Sequence, residues 1–158
     1  MRRLVRGAAV AVALGFVVGV LGLFALIRGG AEFDSESRAY VDASVVAITA
    51  RWDAEELWKR STPHFRETAK HDALRVFLSA AGDALGPLME YGGAHGQAKM
   101  LIMDYHTLVS ANYVAKGSFQ NGDADFQMAM VKVGDTWMIE GFHISSSALI
   151  KRVARLGS

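Results

Sequence analysis

The chain has 158 residues, a formal net charge of +1 and no cysteine. A domain without cysteine forms no disulfide, so its apolar core must stabilise it alone. The first 30 positions contain arginines and no acidic residue, so the rest of the chain is mildly acidic, which argues against nucleic acid as a partner.

Residues 7–27 carry no charged side chain, and Arg2, Arg3 and Arg6 precede them. A helix of that length can cross the ~30 Å hydrocarbon core of a bilayer. We therefore predict a basic cytoplasmic N-terminus at residues 1–6 and a transmembrane helix at residues 7–27. A cleaved signal peptide is the alternative, although its apolar core would be shorter, at about 7–15 residues.

Positively charged residues beside a span favour the cytoplasmic side. The sequence therefore predicts a single-pass protein of the inner (cell) membrane, with its N-terminus in the cytoplasm and its C-terminal domain in the periplasm. In a mitochondrion, the equivalent inner side would be the matrix. Residues 28–37 are glycine-rich and then polar, and we interpret them as a short flexible linker above the bilayer.

Small residues recur at every fourth position of the predicted span, and residues four apart share one helix face. Such a face lets a second helix approach closely in lipid, so we expect contact with another membrane subunit or with a second copy of the chain. The alternative is that glycine and alanine are simply common in membrane helices. The predicted helix-packing interface consists of Gly7, Ala11, Gly15 and Gly19.

Beyond the linker, the apolar pattern first has a helical period. One helix is expected from about Ser37 to Arg51 and another over Asp72–Leu85, which Gly86-Pro87 ends. Between them, Asp53 and Glu56 have the spacing of a capping box, which predicts a short helix to Arg60. The stripe that would face the core of the first helix contains Val41, Val45, Ile48 and Trp52.

The period then changes to that of strands, over residues 94–104, 105–119, 125–133 and 136–145. Asn121-Gly122 and Gly134-Asp135 predict tight hairpin turns. Phe126, Met128 and Met130 alternate with other residues and are expected on the core face. The predicted fold class is therefore α+β: an N-terminal transmembrane helix, followed by an exported domain at residues 38–146 with helices packed on a curved antiparallel sheet of three to four strands.

The order of these elements, the run Trp52-Asp53-Ala54-Glu55-Glu56-Leu57-Trp58 and a last strand Trp137-Met138-Ile139-Glu140-Gly141-Phe142 carry a resemblance. They resemble the cystatin-like and nuclear-transport-factor-2-like superfold, especially its small exported domains of unknown function. Leu85-Gly86-Pro87-Leu88 is similar to an element of the membrane-anchored proteins that assist cytochrome oxidase assembly. The first resemblance implies a cone-shaped space between helices and sheet.

Enzymes of that superfold, such as ketosteroid isomerases, place an aspartate base and a tyrosine or acid in the cone. Such chemistry needs titratable groups with different pKa values in an apolar pocket. The candidate cone residues on predicted strands are Asp104, His106, Asn112, Tyr113 and His143. No nucleophile–base motif accompanies them, so an isomerase-like enzyme is only the third interpretation.

No metal and no other cofactor is expected. The histidines lack the short spacings of a zinc site, since His64 and His71 are seven positions apart. Methionine thioethers suit Cu(I), but methionines that share a face with phenylalanine are typical of a packed core.

The C-terminal segment, residues 147–158, has the pattern of a basic amphipathic helix. It would lie on an anionic lipid surface or dock into a partner groove, or it is an ordinary terminal helix. The candidate tail interface consists of Leu149, Lys151, Arg152, Val153, Arg155 and Leu156.

The absence of a catalytic motif and the small-residue face of the predicted span together favour a non-catalytic role. The leading hypothesis is an accessory, assembly or structural subunit of a larger membrane complex, with the lipid bilayer and other membrane subunits as partners. The second is an exported binding domain that holds a small apolar ligand or lipid in its cone.

Overall fold

The computed structural model describes residues 31–103 and 106–156. In this part of the chain, four helices precede a four-stranded sheet, and a fifth helix follows it. In chain order the elements are α1 (Ala31–Arg51), α2 (Ala54–Arg60), α3 (Pro63–Ala69), α4 (His71–Leu85), β1 (Leu88–Met103), β2 (His106–Phe119), β3 (Gly122–Val133), β4 (Thr136–Ser145) and α5 (Ser147–Leu156).

The fold class that we predicted from the sequence, which began with a transmembrane helix, is wrong. No helix in residues 31–103 and 106–156 is both long and apolar enough to cross a membrane. The longest, α1, has 21 residues, but it carries acidic residues and packs its apolar stripe against the sheet. The architecture of the described part is α+β. The predicted span at residues 7–27, with Gly7, Ala11, Gly15 and Gly19, lies outside the described residues.

Helix α1 begins at Ala31 rather than near Ser37, so it runs through most of the segment that we interpreted as a linker. Two features explain why α1 begins earlier than predicted. Glu32 and Asp34 lie in its first turn, where carboxylates interact favourably with the helix dipole. The Asp34 carboxylate also accepts a hydrogen bond from the backbone N–H of Ala98 on β1, a tertiary contact that a local pattern does not contain.

The short helices begin at side-chain caps. The Asp53 carboxylate accepts the backbone N–H of Glu55 at 2.9 Å, rather than pairing with Glu56 in a capping box. Thr62 Oγ1 accepts the N–H of Phe65 at 3.0 Å, and Pro63 occupies the first turn of α3. Gly86 ends α4 with a positive φ of 75°, as the Gly86-Pro87 pair predicted.

The sheet is antiparallel throughout, with the order β1-β2-β3-β4. The β2–β3 turn contains Gln120 and Asn121, because Phe119 pairs with Gly122. The predicted turn, Asn121-Gly122, is therefore wrong by one position. The reason is tertiary: the N–H groups of Gln120 and Asn121 donate to the carbonyls of Pro87 and Leu85.

The core lies between the helices and one face of this sheet. Val41, Val45 and Ile48 of α1 are fully buried, as their spacing predicted. On β3 the buried residues alternate and include Phe126, Met128 and Met130. The interpretation of Met128 and Met130 as core residues is confirmed.

Candidate functional site: a cavity between helix α3 and the sheet

A cavity of about 700 Å³ is bounded by α3 and by the middle of all four strands. Helix α3 lines it with His64, Phe65, Thr68 and Ala69. Because each strand contributes at least three consecutive residues, the wall consists largely of regular, hydrogen-bonded structure, which favours a preformed cavity.

Two transverse rows of sheet residues contribute to the lining. His95 pairs with Val114, Val114 with Gln127, and Gln127 with His143. Directly opposed residues of neighbouring strands point to the same face, and all four are exposed. The next row is Gln97, Asn112, Ala129 and Gly141, so polar and small side chains make up most of this surface.

Gly96 lets strand β1 lie close to strand β2 beside the cavity. A Cβ atom built there would lie 2.0 Å from the carbonyl oxygen of Asn112 and 2.8 Å from Cα of Tyr113. Both contacts are to backbone atoms of the paired strand β2, which cannot move away without breaking the pairing of β1 with β2. Only glycine fits this position of β1.

Apolar side chains line the cavity where α3 meets the sheet. Phe65, Ala69, Met128 and Phe142 are each 4% exposed or less. They belong to the hydrophobic core as well as to the cavity wall, so their positions are set by packing. Because they are almost fully buried, they leave little of their own surface open to a ligand.

Among the described residues of the lining, Glu140 is the one that is acidic. It lies at a bulge, since Ala129 pairs with Gly141 and Met130 pairs with Ile139. Thr62 Oγ1 donates to its Oε2, and His64 Nε2 lies 3.8 Å from its Oε1. Thr62 and His64 therefore both approach the Glu140 carboxylate from the α3 side.

The start of α3 is also fixed to the free edge of β4 through the backbone. The N–H of Thr62 donates to the carbonyl of Ile139 at 2.9 Å. Ser61 forms a bridge with the same residue. Helix α3 therefore enters the cavity wall at a defined position on the sheet.

The structure brings together three of the five residues that we predicted for the cone. Asn112, Tyr113 and His143 line the cavity, whereas His106 is exposed and does not. Asp104 lies outside the described residues. Tyr113 is buried, and its hydroxyl donates to the carbonyl of Asp34 at 3.1 Å and lies 2.9 Å from Ser37 Oγ.

Sequence reasoning did not single out His95, Gln97 and Lys99 of β1 as members of one site. They occupy alternate positions of one strand and all line the cavity. Their spacing could have indicated this, because alternate residues of a strand share a face. Ala94 and Ala98, at positions of β1 that alternate with these three, are buried and identify the opposite face of the strand as the core face.

Within residues 31–103 and 106–156, no group of three or more histidine, aspartate or glutamate side chains is arranged to hold a metal ion. His64, His95 and His143 line the same cavity, but they come from three different elements.

Helix α5 occupies residues that we assigned to the amphipathic tail. Ser146 Oγ accepts the N–H of Ala148 and donates to the carbonyl of Asp123, which ties the start of α5 to β3. Leu149 packs against the core, while Lys151 is exposed. Arg152, Val153, Arg155 and Leu156 belong to the same helix, and their side chains lie outside the described part.

Comparison with known proteins assigns no family: no family model, no curated protein and no solved structure matches this chain. The resemblance to the cystatin-like and nuclear-transport-factor-2-like superfold therefore stays a prediction from the sequence.

Proposed function

We propose that this protein is a non-catalytic binding protein that holds a small, mainly apolar ligand in the cavity beside α3. The observation that carries the proposal is the cavity itself. Its volume of about 700 Å³ lies within the ~300–1,000 Å³ that is typical of small-molecule sites. Its wall combines buried apolar side chains with several polar groups, which is the usual composition of such sites.

Thr68 provides a way to test this without disturbing the core. It is exposed, yet it lines the cavity from α3. A Thr68→Trp substitution places a large side chain at the cavity wall. Glu67→Trp is the matched control, because Glu67 is the exposed neighbour on the same helix and does not line the cavity.

The measurement is equilibrium binding of the neutral dye Nile red to the full chain and to both variants in the same detergent. We expect Thr68→Trp to raise the dissociation constant of saturable Nile red binding at least about tenfold, a cost of ~1.4 kcal/mol. The reason is that the indole occupies the space that the dye needs. Glu67→Trp should bind as the parent does. Equal binding by all three proteins would contradict the proposal.

A second candidate is the accessory or assembly subunit that the sequence favoured. The β1–β2 hairpin supports it, because the pairing of β2 with β3 ends at Ser110 and Val131, and the hairpin continues beyond that point. Ile102 and Leu108 on this extension are 56% and 46% exposed. Exposed apolar side chains on a projecting element are typical of contacts with another protein.

Purification in mild detergent, followed by mass measurement, tests this second candidate. A stoichiometric complex that is lost in an Ile102→Ser, Leu108→Ser double variant would support it. Val76→Ser is the control, since Val76 of α4 is 68% exposed and outside the hairpin. A protein that purifies only at the mass of one chain would exclude the accessory role.

The isomerase-like alternative has less support. The Tyr113 hydroxyl already bonds to α1, and His106 does not line the cavity. Unchanged turnover in Asp104→Asn and His106→Gln variants would exclude the residues that the sequence suggested. The predicted membrane localisation rests on residues 1–30 and stays a prediction.

A further inference from the structure

Two small residues, Ala129 of β3 and Gly141 of β4, form part of the cavity floor. They pair directly across the two strands, and both line the cavity. A Cβ atom built at Gly141 would lie 3.3 Å from Cβ of Ala129. Apart from the chain neighbours of Gly141, no other described heavy atom lies within 4 Å of that position. The space above this pair, the Ala129–Gly141 floor, is therefore open.

Larger side chains surround the Ala129–Gly141 floor on the same face of the sheet. Asn112 of β2 pairs with Ala129, and Gln127 pairs with His143 in the neighbouring row. Asn112, Gln127 and His143 are exposed and line the cavity. Gln127 and Val131 lie two positions on either side of Ala129, so their Cα atoms are about 13 Å apart along the strand. The floor is therefore a flat recess whose rim includes two amides and an imidazole.

A carboxylate adds to this rim on the α3 side. The Oε2 atom of Glu140 accepts a hydrogen bond from the Thr62 hydroxyl. His64 Nε2 lies 3.8 Å from Oε1, which is beyond hydrogen-bond distance. Since each carboxylate oxygen has two lone pairs, Oε1 can accept a hydrogen bond from a ligand. Such a bond to a charged acceptor is stronger than one between neutral groups.

We propose that the Ala129–Gly141 floor binds a small planar aromatic ring with a hydrogen-bond donor at its edge. The ring lies flat on the floor, and the donor is directed to Oε1 of Glu140. This inference rests on the proposed binding function and specifies its ligand class. Dispersion attraction weakens steeply with distance, so a planar ring keeps all its atoms in contact with a flat floor, whereas a puckered ring keeps only some.

The test compares three probes that share one carbon skeleton. 2-Naphthol is planar and carries a donor, 2-methoxynaphthalene is planar and has no donor, and decahydro-2-naphthol carries a donor on a puckered skeleton. The dissociation constant of each probe for the full chain is measured by equilibrium dialysis, with the same detergent on both sides of the membrane. We expect 2-naphthol to bind about tenfold more tightly than either comparison probe, since a hydrogen bond to a charged group contributes on that order and lost ring contacts are additive.

Two pairs of variants test the two contacts separately. Ala129→Leu fills the floor and should weaken 2-naphthol binding by about tenfold, whereas Ser145→Leu, at an exposed position of β4 outside the lining, should not. Glu140→Gln keeps an acceptor for Thr62 and should weaken 2-naphthol binding about fivefold, with 2-methoxynaphthalene unchanged. Glu67→Gln, on the exposed side of α3 outside the lining, is its control and should change neither.

Equal dissociation constants for 2-naphthol and either comparison probe, or equal effects of a variant and its control, would overturn this inference. The proposed function would still stand if Nile red binding remained sensitive to Thr68→Trp. Nile red binding that is insensitive to Thr68→Trp would overturn the proposed function as well.

Discussion

The carboxylate of Asp42 accepts the backbone N–H of Ala94, with 2.9 Å between Oδ1 and the nitrogen. Strand β1 lies at the edge of the sheet, with β2 as its neighbour, so an N–H on its free side needs a partner from elsewhere. Asp34, two turns earlier on α1, accepts the N–H of Ala98 in the same way. Helix α1 thereby protects an edge that would otherwise invite pairing with another strand.

Asp42→Ala should destabilise the domain by about 1–3 kcal/mol, because it leaves a backbone donor unsatisfied and removes the acceptor of the Tyr91 hydroxyl. The free energy of unfolding from urea titration, followed by tryptophan fluorescence, measures the loss. Asp42→Asn keeps one acceptor oxygen and should lose less. Arg38→Ala, at an exposed position of α1, should change the free energy by less than about 0.5 kcal/mol. Equal stability of Asp42→Ala and the parent would exclude the edge-sealing role.

Tyr91 should make the domain sensitive to alkali. Burial, with the Asp42 carboxylate as hydrogen-bond partner and nearby charge, raises the pKa of the Tyr91 hydroxyl above its ordinary value. A raised pKa means that the stabilisation is complete below the pKa of the unfolded chain, about 10, and is lost as the pH rises above it. Stability measured from pH 8 to 12 should therefore fall.

The slope of that fall should be smaller in Tyr91→Phe. It should not vanish, because burial also raises the pKa of Tyr40. A slope unchanged by Tyr91→Phe would show that the hydroxyl of Tyr91 is not the group responsible.

Glu36 and Lys132 form an ion pair between α1 and β3, with 2.7 Å between Oε2 and Nζ. The hydrogen bond from Lys132 lowers the pKa of the Glu36 carboxyl. Its stabilising contribution is therefore present above the pKa of the unfolded chain and is lost as the pH falls through the lower pKa of the folded chain. In Lys132→Met, the pKa of Glu36 measured by carboxyl-carbon NMR should rise towards its ordinary value. Lys59→Met should leave it unchanged, since Lys59 pairs with Glu56.

Gly82→Ala should destabilise the domain, against the ordinary gain of ~1 kcal/mol for this change inside a helix. A Cβ at this position would lie 2.6 Å from Cγ of Trp52. The indole cannot easily retreat, because its Nε1 donates to the carbonyl of Gly86 at 3.1 Å and its ring packs against Phe119. We expect a loss of about 1–3 kcal/mol by urea titration.

Ser79→Ala is the matched control for Gly82→Ala. Ser79 is exposed on the same helix α4, and alanine there should raise stability by a few tenths of a kcal/mol. A gain for both variants would mean that Trp52 moves freely.

Local chemistry made several elements predictable. The alternation around Phe126, Met128 and Met130 identified their buried face, because the side-chain period of a strand is two. Gly86 was expected to end α4, because glycine readily adopts the positive φ found there. The spacing of Val41, Val45 and Ile48 identified the inner face of α1 for a corresponding reason, the helical period of 3.6 residues.

The sequence by itself determined which residues are apolar, at what period they recur and where glycine or proline interrupts them, since these depend on neighbours along the chain. Only the tertiary structure decided where α1 begins, because the Asp34–Ala98 contact joins two distant segments. It likewise moved the β2–β3 turn to Gln120 and Asn121 through bonds to Pro87 and Leu85. The residues that line the cavity could not be predicted from the sequence alone. His95, Asn112 and His143 are distant along the chain, and only the pairing of the four strands brings them into one lining.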